Sequence, residues 1–256
     1  LADSGVKELI VIAQDITRYG MDWDGKPHLA DLLEELCKLD FHWIRLHYLY
    51  PEWIDDGLID VIAREDKILK YLDIPLQHCN DKILKKMNRR GDKKYLCALL
   101  DKLRERIPGL VLRTSIIAGL PGEGEEEFDE LCDFLRGQKL LRAGVFPYSP
   151  EEGTRAAKME RVDSDEAARR AERIVDIQSE IIDAWNDERQ GDVMEVLCEG
   201  FDGQSMLFVG RSYAESPDID GRIYFSAPRD VAAGEFVPVR ITGAMDGELT
   251  GELAEE

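Results

Sequence analysis

Short β-rich runs alternate with amphipathic helices from the start of the chain to about residue 187, and this order restricts the fold more than any other feature. The runs predict strands at 7–13, 43–48, 71–76, 111–118 and 144–148, and helices at 29–39, 54–64, 81–87, 93–106, 125–136 and 164–189. Strands that alternate with helices of this length are typical of βα repeats around a parallel sheet. We therefore predict an α/β domain over residues 1–190.

The pattern changes after Gly191. Short β runs at 193–199, 206–210, 223–225 and 236–242 are separated by Gly, Asp and Pro, without helical periodicity. Such spacing favours a small all-β barrel of roughly five strands. The sequence therefore predicts a second domain over residues 191–256.

Five cysteines are scattered along the 256 residues: Cys37, Cys79, Cys97, Cys132 and Cys198. No two are spaced as CxxC or CxxxC, so we expect neither a disulfide framework nor a metal site from them.

There is no visible secretion signal, and no apolar run approaches the ~20 residues of a membrane span. We expect a soluble cytoplasmic protein without membrane contact. Residues 1–5 read as the last turn of a helix ending at Gly5, and we expect a preceding segment to be missing.

The chain is strongly acidic, with a formal net charge of -20. Fourteen acidic and four basic residues lie between Gly191 and Glu256, so about half of the excess falls in the β domain. An acidic surface repels phosphate backbones and attracts basic partners, although solubility alone also explains such a charge.

Polar residues follow most of the predicted strands. In parallel sheets and barrels the carboxyl ends of the strands carry the functional groups. These ends read Gln14-Asp15, His47-Tyr48, Gln77-His78, Gly119 to Glu123, and Tyr148-Ser149. The pattern favours an enzyme or cofactor-binding protein over a scaffold, although any single strand end is explained equally well by solvation.

Taken one at a time, the motifs are weak. Gly119-Leu120-Pro121-Gly122-Glu123 fits a tight βα turn at least as well as a ligand site, and its glycine spacing excludes a Walker loop or a Rossmann fingerprint. His78 is by default a satisfied loop histidine, since no nucleophile or metal-ligand spacing accompanies it. His47 could point outward on an alternating strand.

In order along the chain, however, these segments resemble one family. Ile117 to Glu123, Phe128 in the next helix, Tyr148-Ser149-Pro150 and Gly153-Thr154 are similar to the radical S-adenosylmethionine (SAM) methylthiotransferases. The resemblance covers nearly the whole chain. It implies a partial, TIM-like radical SAM barrel followed by a small OB-like barrel, the TRAM domain, which matches the change of pattern near residue 190.

The branch of the family is also indicated. Ile74 to His78 and Gly210 to Gly221 resemble the branch that modifies a ribosomal protein rather than tRNA. The acidic β domain agrees, because a domain that grips tRNA should be basic. The resemblance implies methylthiolation of the β-carbon of an aspartate in small-subunit ribosomal protein twelve, a basic partner that we expect the TRAM domain to bind.

The resemblance also implies the cofactors. Family members bind a [4Fe–4S] cluster through a CxxxCxxC loop and cleave SAM to a 5′-deoxyadenosyl radical, which requires an electron donor. A second cluster takes part in sulfur insertion, and a second SAM supplies the methyl group. None of the six cluster cysteines is in this sequence, so we expect Leu1 to fall just before the second barrel strand and this chain alone to ligate no metal and be inactive. We place these residues near SAM: Gln14, Asp15, Gln77, His78, Arg113, Gly119, Glu123 and Tyr148.

Three alternatives remain open. The first is a tRNA methylthiotransferase, which the acidic β domain disfavours. The second is a non-catalytic barrel that only binds a ribosomal protein. The third is an aldolase-type barrel. This alternative has little support, because no lysine lies at a strand end where it would suggest a Schiff base.

Overall fold

The computed structural model describes residues 1–254 and divides the chain into two compact units, Leu1–Gln178 and a second unit that begins at Ser179. The first unit contains a five-stranded parallel sheet whose strands lie in sequence order. The strands are β1 (Glu8–Ile12), β2 (Trp43–His47), β3 (Ile68–Asp73), β4 (Val111–Ala118) and β5 (Arg142–Pro147). The predicted α/β class is confirmed.

Helices connect the strands. They are α1 (Met21–Asp24), α2 (Leu29–Cys37), α3 (Asp56–Arg64), α4 (Asp81–Lys86), α5 (Lys93–Arg106), α6 (Glu125–Gln138) and α7 (Ser164–Glu188), which runs across the division between the units. Asp55, Asn80 and Asp92 cap α3, α4 and α5 by accepting hydrogen bonds from first-turn N–H groups. These polar caps explain why the predicted starts of α4 and α5 agree with the structure.

One predicted strand, at 71–76, is wrong by three residues, because β3 spans Ile68–Asp73. Lys70 interrupts the apolar pattern, but its Nζ donates to the carbonyls of Ile62, Ala63 and Glu65 at the end of α3. A lysine that satisfies helix-end carbonyls is tolerated within a buried strand, since its aliphatic stem is buried while its ammonium group is hydrogen-bonded.

The core of the first unit lies between the helices and one face of the sheet. Ile44, Leu46 and Leu72 are fully buried, and they share a face because side chains alternate along a strand. Leu33 of α2, Ile62 of α3 and Leu103 of α5 are also fully buried. The opposite face of the sheet carries polar and charged side chains instead.

The second unit contains a closed five-stranded barrel in the order β10-β8-β7-β6-β9. Its strands are β6 (Val193–Asp202), β7 (Leu207–Arg211), β8 (Ile223–Ser226), β9 (Phe236–Met245) and β10 (Glu248–Leu253). Alternate residues Val237, Val239 and Ile241 of β9 face the core with Phe225 of β8. The predicted small all-β barrel is confirmed.

No helix within residues 1–254 is long and apolar enough to cross a membrane.

Candidate functional site

Two layers of charged side chains lie on the polar face of the sheet. In the first layer, Arg45 of β2 donates from Nε to Glu8 Oε1 of β1 at 2.7 Å and stacks 4.7 Å above the ring of Tyr71 of β3. Arg45 is completely buried. A charge buried this deeply is stable only when paired, so Glu8 and Arg45 hold the first two strands together.

The second layer lies two residues closer to the carboxyl ends of the strands, on the same face. Asp73 of β3 is fully buried, and its Oδ2 accepts from Arg113 Nη1 of β4 at 2.9 Å and lies 3.3 Å from His47 Nδ1 of β2. His47 therefore points inward, towards Asp73, and is 3 % exposed. Gly144 of β5 leaves room for the guanidinium, because a Cβ there would lie 3.3 Å from Arg113 Nη2.

Of the residues in this layer, Arg113 was predicted to lie near the cofactor, whereas Asp73 was placed only within the predicted strand 71–76. A sequence pattern that could have indicated Asp73 is present in two otherwise apolar strands. Arg45 and His47 in β2 are polar residues two positions apart. Tyr71 and Asp73 in β3, one aromatic and one polar, have the same spacing. That spacing places both members of each pair on one face of the sheet.

The chain turns sharply directly after two of these strands. Tyr48 after β2 has a φ of 64°, and Gln77 after β3 has a φ of 67°, both in the left-handed region that residues other than glycine rarely adopt. The backbone of Gln77 is fixed against β4, donating to Ser115 O and accepting from Ile117 N. Strained backbone held by its surroundings is typical of ligand sites.

The predicted site residues after β1 differ in their environment. Gln14 is exposed at the end of β1. Asp15 is partly buried and caps a short 3-10 turn, with Oδ1 accepting from the N–H of Thr17 at 3.0 Å. Only Oδ2 of Asp15 is left for another contact, whereas the Gln14 side-chain amide makes no hydrogen bond within residues 1–254.

Gln77 and His78 lie after β3. The Gln77 side chain accepts from Arg89 Nε at 3.0 Å. His78 is buried, with Nδ1 accepting from Asn80 N at 3.0 Å and Nε2 lying 3.3 Å from Glu123 Oε2. The contact with Glu123 brings together two residues that are far apart in the sequence and that were both predicted for the cofactor site.

Glu123 is the centre of a buried ionic cluster. Its Oε1 accepts from Gly119 N and from Arg170 Nη1 of α7, both at 2.9 Å. Burial opposes ionisation, but the contacts with His78, Arg170 and the Gly119 N–H together lower the pKa of this carboxyl below its usual value. Glu123 is therefore an anion that joins the turns after β3 and β4 to α7.

The turn at Gly119 also packs tightly against α7. Gly119 has a φ of 79°, and a Cβ there would lie 2.4 Å from the Cβ of Ala167. The glycine is thus needed for its backbone conformation and for helix packing. These two requirements account for Gly119 without a ligand, and its predicted role beside the cofactor stays a prediction.

Tyr148 follows β5 and has a buried hydroxyl that makes no hydrogen bond within residues 1–254. Its backbone N–H donates to Ala118 O at 2.8 Å, which fixes the residue beside the end of β4. A buried hydroxyl without a partner is costly, and a ligand atom would remove that cost. Ile12 at the end of β1 and Phe146 in β5 are 60 % and 54 % exposed, so large apolar surface is available at the same edge.

These observations fit a bound SAM but not a bound iron–sulfur cluster. The tyrosine hydroxyl, the Arg113 cation and exposed apolar side chains match a charged nucleoside ligand. Within residues 1–254, by contrast, no group of three or more His, Cys, Asp or Glu could hold a metal ion. Burial raises the pKa of all five cysteine thiols, which disfavours the thiolate form that binds metals.

The barrel unit carries a buried polar loop after β7. Arg211 donates from Nε to Glu199 Oε1 at 2.6 Å and from Nη1 to the Glu215 carbonyl. Glu215 Oε2 accepts from the N–H and the hydroxyl of Ser212. These contacts fix the segment from Gly210 to Gly221, whose sequence suggested the ribosomal-protein branch.

A parallel βα sheet with convergent polar residues at its strand ends defines a cofactor-binding enzyme domain. The family profile of the radical SAM superfamily matches residues 1–135, and that of the TRAM domain matches residues 191–254. The chain belongs to the radical SAM superfamily. The similarity to radical SAM methylthiotransferases is confirmed.

The relatives agree with both profiles. The chain is 48% identical to the ribosomal protein uS12 methylthiotransferase RimO of Symbiobacterium thermophilum, an alignment that covers 100% of this chain and 53% of that protein. It is also 48% identical to the RimO of Pelotomaculum thermopropionicum, over 98% of this chain and 57% of that protein. The chain thus spans about half the length of these relatives.

The coproporphyrinogen III oxidase HemN of Escherichia coli, a radical SAM enzyme, has a similar fold. The superposition has a TM-score of 0.50 at 20% identity and covers 61% of this chain and 39% of that one. It supports the fold of the sheet unit alone.

Proposed function

We propose that this chain is part of a methylthiotransferase that acts on ribosomal protein uS12 by radical SAM chemistry. The observation that carries the proposal is 43% to 48% identity, over nearly the whole chain, to relatives that bear this name. The order of a radical SAM domain and a TRAM domain supports it. Within the substrate we propose the β-carbon of an aspartate as the target and, because ribosomes are its source, the cytoplasm as the compartment.

The cofactors of the complete protein are, in this proposal, SAM and two [4Fe–4S] clusters, reduced by an electron donor. When bound, they supply hydrogen-atom abstraction from an unactivated carbon, together with the sulfur and the methyl group. The residues of this chain bind and orient the SAM molecule. We assign SAM binding to the predicted set Gln14, Asp15, Gln77, His78, Arg113, Gly119, Glu123 and Tyr148.

Within that set, the environments support different tasks. Asp73 holds the Arg113 guanidinium in place, which suits it to pair with a carboxylate of the ligand. The Tyr148 hydroxyl is buried and free to donate one hydrogen bond. His78, Gly119 and Glu123 contact one another, and this supports a positioning role for the turns after β3 and β4.

We further propose that these 256 residues alone ligate no cluster and are inactive. Support comes from the five cysteines, whose thiols are all shifted towards the protonated form. Anaerobic reconstitution of this chain with iron and sulfide should give no visible iron–sulfur absorbance. A cluster band that co-purifies with the chain would overturn this part of the proposal.

The TRAM domain is proposed to bind the basic ribosomal protein. Its fourteen acidic residues against four basic ones support attraction to lysine and arginine and oppose contact with tRNA phosphates. Such attraction between exposed charges weakens as salt is added, since the screening length is about 10 Å at 0.1 M.

The test uses the complete protein encoded by the gene, reconstituted anaerobically and incubated with uS12, SAM and a reductant. Mass spectrometry should find one methylthio group on an aspartate of uS12. Tyr148→Phe should weaken SAM binding by about five- to tenfold, the equivalent of one hydrogen bond of about 1 kcal/mol, whereas Tyr224→Phe in the barrel should not. Methylthiolation of tRNA instead of uS12 would refute the proposal.

A further inference from the structure

A strongly basic segment lies within this acidic chain. Residues 82–94 contain seven lysines and arginines and one acidic residue, Asp92, although the whole chain has a net charge of -20. The segment comprises α4 without its first residue, Asp81, the loop after it and the first residues of α5. Local charge of this sign and density is unexpected from composition alone and requires a physical explanation.

Two of the seven cations are paired within the fold. Lys82 donates to Glu127 at 2.6 Å and Lys93 donates to Glu130 at 2.9 Å, so both tie the segment to α6. Within residues 1–254, Lys85, Lys86 and Arg90 have no ion-pair partner. In a chain with 53 acidic residues, cations that remain unpaired side by side are available for an anion from outside.

Lys86 opens into a cleft of about 630 Å³ within the first unit. Arg155 and Arg161 line the same cleft and, like Lys86, are exposed and without an ion-pair partner within residues 1–254. Of the two carboxylates in the lining, Glu123 is already bound to Gly119 and Arg170, and Glu160 is exposed. We call this site the Lys86 cleft; three available cations against one carboxylate favour an anionic ligand.

Aromatic rings beside the basic segment decide which anion fits. Arg89 lies 5.0 Å above the ring of Tyr50, and Arg90 lies 5.8 Å above the ring of Trp53. Both rings are partly exposed. Partly exposed aromatic rings next to cations are a surface on which unpaired bases stack while their phosphates are neutralised. An acidic peptide would use the charges but not the planes.

We propose that the Lys86 cleft and the basic segment bind the phosphodiester backbone of single-stranded RNA. The cations of the cleft contact successive phosphates, and the rings of Tyr50 and Trp53 receive bases. The choice of RNA over DNA rests on the proposed ribosomal function. Binding of a nucleic acid at this site is inferred independently of that function.

The test measures the affinity of this chain for a fluorescent oligouridine by anisotropy at several salt concentrations. Three neutralised phosphates give a slope of about -2 in log affinity against log salt, which is about a 20-fold loss between 50 and 200 mM. The triple variant Lys86→Glu, Arg155→Glu, Arg161→Glu should lose at least about tenfold in affinity at the lower salt.

A matched control separates local contact from overall charge. The variant Lys7→Glu, Lys26→Glu, Arg222→Glu changes the net charge equally, at three exposed cations outside the cleft, and should change affinity less than twofold. The far-UV circular dichroism of both variants should match that of the parent chain.

Three results would overturn the proposal: no oligouridine binding by the parent chain at low salt, equal losses in the two triple variants, or competition by polyglutamate as strong as by unlabelled oligouridine. The assay contains neither SAM nor uS12. Its failure would therefore leave the proposed methylthiotransferase function untouched.

Discussion

Gly119→Ala offers a direct test of why a glycine ends β4. Its φ of 79° lies in the left-handed region, and the new Cβ would fall 2.4 Å from Ala167 Cβ and 3.1 Å from Ala167 Cα. The left-handed conformation costs about 1–2 kcal/mol for a residue with a Cβ. The overpacking against α7 adds about 1–3 kcal/mol. We expect a total loss of about 2–5 kcal/mol.

Gly153→Ala is the matched control. Gly153 has a φ of 85°, and no heavy atom lies within 4 Å of where its Cβ would be. This substitution should therefore cost only the conformational part, about 1–2 kcal/mol. Urea unfolding followed by far-UV circular dichroism measures both losses, and their difference isolates the contact with α7.

A second substitution makes the test sharper. Ala167→Gly removes the nearest atom and costs about 1 kcal/mol on its own as a glycine within a helix. Combined with Gly119→Ala, it should recover part of the loss, with a coupling of about 1–3 kcal/mol. Equal losses at Gly119 and Gly153, or no coupling with Ala167, would refute the packing explanation. Weakened SAM binding by the complete enzyme with unchanged stability would instead support ligand approach.

Two further losses of stability are expected. Asp73→Asn should lower the free energy of unfolding, measured with urea, by about 3–5 kcal/mol, because it leaves the buried Arg113 without its carboxylate. Asp133→Asn on the surface is the control and should lower it by under about 0.5 kcal/mol. Equal losses would contradict the importance of the buried pair. Glu127 accepts from Lys82 Nζ and from the Gly124 N–H, which lower its pKa from 4.5 to about 2. Because the folded pKa is the lower one, its stabilisation is complete above pH 4.5 and disappears as pH falls to about 2. Glu127→Gln should thus cost about 1 kcal/mol near neutral pH, after allowance for solvent screening, and nothing at pH 2; a loss independent of pH would exclude the charge as its cause.

Much of the fold follows from local sequence. The predictions for α5 and β4 agree with the structure in both bounds, because each element has clear end signals such as the Asp92 cap and the turn at Gly119. The fifth barrel strand, β10, had no predicted run of its own. Its Gly251 resembles a strand breaker, but a Cβ there would lie 2.5 Å from Arg240 O, and the ladder is irregular between Thr250 and Gly251. The glycine is required by close pairing, which sequence alone does not reveal.

The sequence suggested which residues to expect at the candidate site, but not the contacts that they make. Strand-end position suggested Tyr148, since parallel strands bring their carboxyl ends to one edge, whereas Arg113, the third residue of β4, was suggested by the family resemblance. Pairing of Arg113 with Asp73, and of Glu123 with His78 and Arg170, depends on strand register and on the path of α7. These are tertiary relationships between residues up to 47 positions apart, and no local pattern encodes them.

The two charged surfaces place different demands on a partner. A net charge of -20 opposes the approach of RNA, but this repulsion is largely screened beyond about 8 Å at physiological salt, so the local charge of the Lys86 cleft decides the contact. In the proposed function, the acidic barrel attracts lysine-rich and arginine-rich protein over the same range. A partner that presents basic protein beside RNA, as ribosomal particles do, satisfies both surfaces, whereas free RNA satisfies only the cleft. Such a partner should therefore bind more tightly than free RNA at the same salt concentration.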